Sequence, residues 1–96
     1  MTLGEAIRVV RVSRGMSCKK IQRETGISSS CLSSIENSKT APNVETVGKL
    51  AHGMNVPLFM LFYLASKPDE RSYLPEDLQD RLSAAALGLI GNGAGK

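Results

Sequence analysis

The sequence predicts an all-α fold. Five short helices form one domain over residues 1–65, followed by a linker over 66–73, a C-terminal helix over 74–91 and a disordered tail over 92–96. Three observations lead there. Apolar residues recur at spacings of three and four, and no stretch alternates apolar with polar for long enough to make a strand. Good capping residues stand just before the periodic runs, with glycine or proline near their ends. Ninety-six residues, 42% hydrophobic and 22% charged, suffice for one small core without staples.

The first helix is expected over Leu3–Ser13, with Leu3, Ile7 and Val10 on one face and Gly15 as the stop. Ser17 is the N-cap of the second helix, which ends at Gly26. Ser28 caps the third, which runs to about Glu36. Asn37 to Asn43 is a polar loop containing Pro42. Asn43 then caps the fourth helix, whose buried stripe is expected to be Val44, Val47, Leu50 and Ala51, and which ends near His52 and Gly53. Pro57 suits the first turn of a fifth helix carrying Leu58, Leu61, Phe62 and Leu64. Ser66 to Ser72 has linker composition. Pro75, Glu76 and Asp77 suit the start of the C-terminal helix, whose apolar side is Leu74, Leu78, Leu82, Ala85, Ala86 and Leu89. Gly91 to Lys96 is glycine-rich, and disorder is expected there.

Charge and cysteine content narrow the class. The net charge is +3, but residues 1–66 hold eight Lys/Arg against four Asp/Glu, while residues 67–96 hold four against five. A nucleic acid would meet the basic part. Cys18 and Cys31 match neither a zinc spacing nor a disulfide framework, and free thiols fit a reducing cytoplasm. Two inert small residues are the plain reading of them, and a redox pair is the sharper one. The longest apolar run, Val56 to Ala65, is too short to span a bilayer, and no signal peptide or membrane contact is expected.

Residues 18–37 read CKKIQRETGISSSCLSSIEN. Two short helices flank Gly26, and Ile21, Ile27, Leu32 and Ile35 are spaced to face inward. That is the helix-turn-helix layout, in which a short turn holds the second helix proud of the body so that its N-terminal residues reach base edges. The longer stretch 3–62 resembles the Cro/CI-type (XRE) helix-turn-helix family. The residues that carry the resemblance are Leu3-Gly4-Glu5 with Ile7-Arg8, Arg14-Gly15-Met16-Ser17, Thr25-Gly26-Ile27-Ser28, Leu32-Ser33, Ile35-Glu36-Asn37, Pro42 with Glu45-Thr46, Leu50-Ala51, and the closing run Val56 to Phe62.

The resemblance implies a five-helix, lambda-repressor-like domain acting as a homodimeric, sequence-specific regulator of transcription, of bacterial or phage type, on double-stranded operator DNA. It places the recognition helix at about 28–36. Ser28, Ser29, Ser30, Ser33 and Ser34 then take the positions that read bases or touch phosphates. Ser17, Cys18, Lys19 and Arg23 lie on the flank, and Asn37, Lys39 and Thr40 lie in the loop that meets the DNA backbone. It also implies a structural ion pair between Arg11 and Glu36.

The chain departs from the family pattern at several positions. Gln22 stands where the family favours alanine at a tight contact between the second and third helices, so its side chain must swing aside or change the crossing angle. Cys18 replaces the usual glutamine. No Arg, Lys, Gln or Asn precedes Asn37 in the recognition helix, so direct readout is expected to be thin. Lys19 and Lys20 oppose the dipole of the second helix, a cost that phosphate contact would offset.

An enzyme lacks materials here. The serines have no positioned base, no glycine-rich phosphate loop appears, and the single histidine, His52, sits at a helix end. No cofactor and no metal are expected. The rival to a DNA reader is a protein-interaction module, an antitoxin or anti-activator that binds another protein. Apolar surplus at Val9 and Val12, and at Phe59 and Met60, motivates it. Phe59, Met60, Phe62 and Tyr63 cover most of one helix's circumference, more than one small core can bury. A homodimer built on the fifth helix is therefore expected, with the C-terminal helix covering or exchanging across it. The expected interface residues are Phe59, Met60, Tyr63, Leu78 and Leu82.

Overall fold

A computed structural model describes the backbone of residues 1–94, and among the described residues the regular structure is helical throughout. The first helix, α1 (Leu3–Ser13), opens on a capping box. The Thr2 amide donates to Glu5 Oε1 at 2.8 Å, and the Glu5 amide donates to Thr2 Oγ1 at 3.1 Å. These bonds, the Thr2 backbone N–H first among them, hold the Glu5 carboxyl below its ordinary pKa. The T-x-x-E spacing is a sequence-level sign of this box.

Three further caps stand where the sequence predicts them. Ser17 Oγ accepts from the Lys20 amide to start α2 (Cys18–Thr25), and Ser28 Oγ accepts from the Cys31 amide to start α3 (Ser29–Glu36). Asn43 Oδ1 accepts from the Thr46 amide at 2.8 Å to start α4 (Val44–Gly53). The turn between α2 and α3 needs Gly26 at φ +79°, a left-handed conformation that costs most side chains strain. Two short helices and a longer one follow: α5 (Leu58–Ala65), α6 (Pro68–Arg71) and α7 (Glu76–Ala94).

Ile7, Val10, Ile21, Leu32, Ile35, Val47, Leu50, Met54 and Leu61 are fully buried and belong to one core. Through it α1 lies against α3 and α5, while α2 lies against α3 and α4. Gly4 marks the closest approach. A Cβ there would collide with the Ile35 carbonyl oxygen, so α1 can cross the end of α3 only where the side chain is absent.

Several expectations need correction. Val44 is 66% exposed, because as the first residue after the cap it faces outward and the buried stripe begins at Val47. Met60, expected at a dimer or partner interface, is buried in the core of its own chain. The segment read as a linker contains a helical turn, α6, held by Arg71. The Arg71 guanidinium donates to Ser66 Oγ at 2.9 Å and to the carbonyls of Ser66 and Tyr63, and it lies 4.8 Å from the centre of the Tyr63 ring. It thereby satisfies the Ser66 carbonyl and adds a further donor to the Tyr63 carbonyl, which already accepts from the Ser66 amide and hydroxyl. Asn92 to Ala94, expected to be disordered, continue α7, and residues 95–96 lie outside the described residues.

The C-terminal helix α7 packs on α1 and α5. It contributes Ala86 to the core, leaves Leu82 and Leu89 half-buried, and shares a 2.7 Å hydrogen bond between Ser83 and the Tyr63 hydroxyl.

Candidate nucleic-acid interface

The start of α3 stands out from the body because Leu32 and Ile35 hold its other side in the core. Its outward residues are the serines. Ser28, Ser30 and Ser33 are exposed, and Ser29 and Ser34 are half-buried. Their hydroxyls are not equally available. Ser28 accepts from the Cys31 amide, so its oxygen is largely occupied with capping. The Ser29 amide and hydroxyl both donate to Gln22 Oε1, at 3.0 and 3.1 Å. Ser33 Oγ lies 3.3 Å from Asn37 Nδ2, whose shorter bond goes to the Ser33 carbonyl. Ser30 has no such tie and is the freest hydroxyl on the helix.

Lys19, Lys20 and Arg23 are exposed on α2, and Lys39 and Thr40 are exposed in the loop after α3. Tight turns set that loop. Ser38 sits at φ +59°, and the Ser34 carbonyl accepts from the amides of Lys39 and Thr40. A cleft of about 470 Å³ runs between α2 and the start of α3, lined by Ser17, Lys19, Gln22, Arg23 and Ser29. The acids of α2 and α3 are Glu24 and Glu36. Glu36 is buried, and Glu24 lines a different recess, beside His52, where α1 and α2 meet the end of α4. The cleft is thus walled by cations and polar groups, a surface suited to phosphate and base edges. Cys18, which the family resemblance places at this surface, is half-buried and packs against the core.

Beneath the hairpin lies the ion pair. Arg11 Nε and Nη2 donate to the two carboxylate oxygens of Glu36 at 2.7 and 3.0 Å, and Nη1 donates to the Met16 carbonyl at 2.8 Å. The side chains are 14% and 6% exposed, and the Glu36 hydrogen bonds raise the Arg11 pKa. One guanidinium therefore joins α1, the turn before α2 and the end of α3.

Gln22 is the residue lining this cleft that the expected set left out. It was legible only as a long polar side chain at a tight contact. The structure shows it swinging over the start of α3 and bonding Ser29, which ties up the amide and hydroxyl of one of the serines expected to meet bases. Among the described residues no cluster of acidic, histidine or cysteine side chains is arranged to hold a metal ion, and no helix is long and apolar enough to cross a membrane.

Comparison with known proteins gives the same segment. The helix-turn-helix family model matches residues 7–61. Over 55 residues the chain is 36% identical to the HTH-type transcriptional regulator SutR of Escherichia coli (strain K12), covering 57% of this chain and 31% of that protein. The chain thus spans about a third of the length of that curated relative. No solved structure gives a significant match.

Proposed function

We propose, from the premise that this chain belongs to the Cro/CI-type (XRE) helix-turn-helix family, that it is a cytoplasmic, non-enzymatic regulator of transcription. It binds double-stranded operator DNA with the α2–α3 hairpin. The observation that carries the reading is the outward start of α3, bare of acids and flanked by exposed Lys19, Arg23 and Lys39. In this reading α3 enters the major groove, Ser30 and Ser33 meet base edges, and the cations hold phosphates on either side.

The operator is held by a homodimer. Phe59 and Phe62 are 57% and 41% exposed on α5, and Leu78 is 39% exposed on α7. With half-buried Tyr63 and Leu82 they supply an apolar surface that a second copy would cover, and Met60 is not part of it. Selection from a pool of random duplexes tests the function. Enrichment of a two-fold symmetric site supports a dimeric reader. Failure to enrich any sequence at low salt contradicts it and favours the protein-partner alternative.

A further inference from the structure

Gln22 has one carbonyl oxygen and one NH2 group, and the fold commits the first completely. The Ser29 amide lies 3.0 Å from Oε1 and the Ser29 hydroxyl 3.1 Å from it. A backbone N–H can only donate, so the atom facing it has to be the oxygen, and both lone pairs of that oxygen are used. The NH2 group is then the remaining arm, and among the described residues none accepts from it. Gln22 is exposed and borders the cleft it shares with Ser17, Lys19 and Arg23.

We propose that Gln22, a residue of α2 rather than of the recognition helix, is a specificity-determining residue of this interface. Its Nε2 group donates to the acceptor edge of a guanine, N7 or O6, in the major groove. The inference rests on the DNA-binding reading of the hairpin. Guanine follows from the committed oxygen. The usual pairing of an amide with adenine needs the amide oxygen to accept from N6 while its nitrogen donates to N7, and here that oxygen is unavailable. A donor-only arm suits the base that presents two acceptors. Ser29 becomes the residue that orients the reader. This also supplies discrimination that short serine hydroxyls on α3 lack.

The test is selection from random duplex pools with the full chain, Gln22→Ala and Gln22→Glu, each first checked for an unchanged melting temperature. The parent is expected to enrich guanine at one position of each half-site. Gln22→Ala should reduce that preference about five- to tenfold and leave the other positions as they were. In Gln22→Glu one oxygen still accepts from Ser29 while the outward atom becomes an acceptor, so cytosine, which offers its N4 donor, should replace guanine. Unchanged guanine enrichment in both variants overturns the proposal. So does an equal loss of affinity for all sequences, the mark of a phosphate contact or a spacer. A parent that enriches no site sinks the DNA-binding reading itself, which separates that failure from an error about Gln22 alone.

Discussion

Arg11 makes three bonds from α1, two to Glu36 at the end of α3 and one to the Met16 carbonyl before α2, and nearly all of its charge is answered by one carboxylate, Glu36. Removing Glu36 strands a mostly buried cation, which typically costs about 3–5 kcal/mol. Small domains hold only about 5–15 kcal/mol in total. Glu36→Ala should therefore leave the chain unfolded or nearly so in a thermal melt. Melting within a degree or two of the parent would show that the pair contributes little. The serines divide along the same residue-level lines. Ser30→Ala should narrow the gap between operator and random DNA, since Ser30 carries an exposed hydroxyl with no partner in the fold. Lys39→Ala should weaken all sequences about equally and reduce the slope of log affinity against log salt by about one. Titrations at several salt concentrations separate the two patterns, and a specificity loss from Lys39→Ala would contradict the placement of α3 in the groove.

At the scale of elements, α2 and α1 make opposite statements. Lys19 and Lys20 occupy the first turn of α2, where no acid balances them against the positive end of the helix dipole. Replacing either with glutamate should raise stability by about 0.3–1 kcal/mol and at the same time lower DNA affinity. Chemical denaturation and a binding titration on the same variant check both signs. If stability and affinity moved together, the lysines would be serving the fold instead. On α1 the box between Thr2 and Glu5 is optimised for the fold alone. Because Glu5 titrates below its ordinary value, its contribution is full above the unfolded pKa and is lost as pH falls through the lowered one. Gly4→Ala should be more damaging than any change at the box. The new methyl meets the Ile35 backbone oxygen, which cannot yield without moving α1 off α3. A melt of this variant should show a large loss, and a melt like the parent's would mean the two helices can slide apart freely.

For the whole molecule, the pattern of what was legible follows from where each decision is made. Caps and turns are local, so Ser17, Gly26, Ser28 and Asn43 could be placed from the sequence, and α1 has the bounds expected of it. The face of α5 is not local. LFMLFYLA is apolar all round, so packing alone decides that Met60 turns inward while Phe59 and Phe62 stay out. The turn α6 was hidden because Arg71 acts on carbonyls of the preceding helix, a contact that polar composition does not advertise. At the site, the serines were visible as a group, but the bond that removes Ser29 from the reading set depends on the helix crossing. The exposed aromatics carry the dimer prediction. Phe59→Glu with Phe62→Glu should leave the melt of the folded chain close to the parent's while sedimentation shifts from dimer to monomer at micromolar concentration. A parent already monomeric would remove the homodimer and favour a different protein on α5.

The central claim is that the α2–α3 hairpin is the DNA-binding surface, and amide NMR spectra of the full chain titrated with an enriched duplex test it most directly. The expected perturbations fall on Ser17 to Arg23, on Ser28 to Ser34 and on Asn37 to Thr40, and fade as salt is raised. Perturbations confined to α5 and α7, or none at all at low salt, would contradict it.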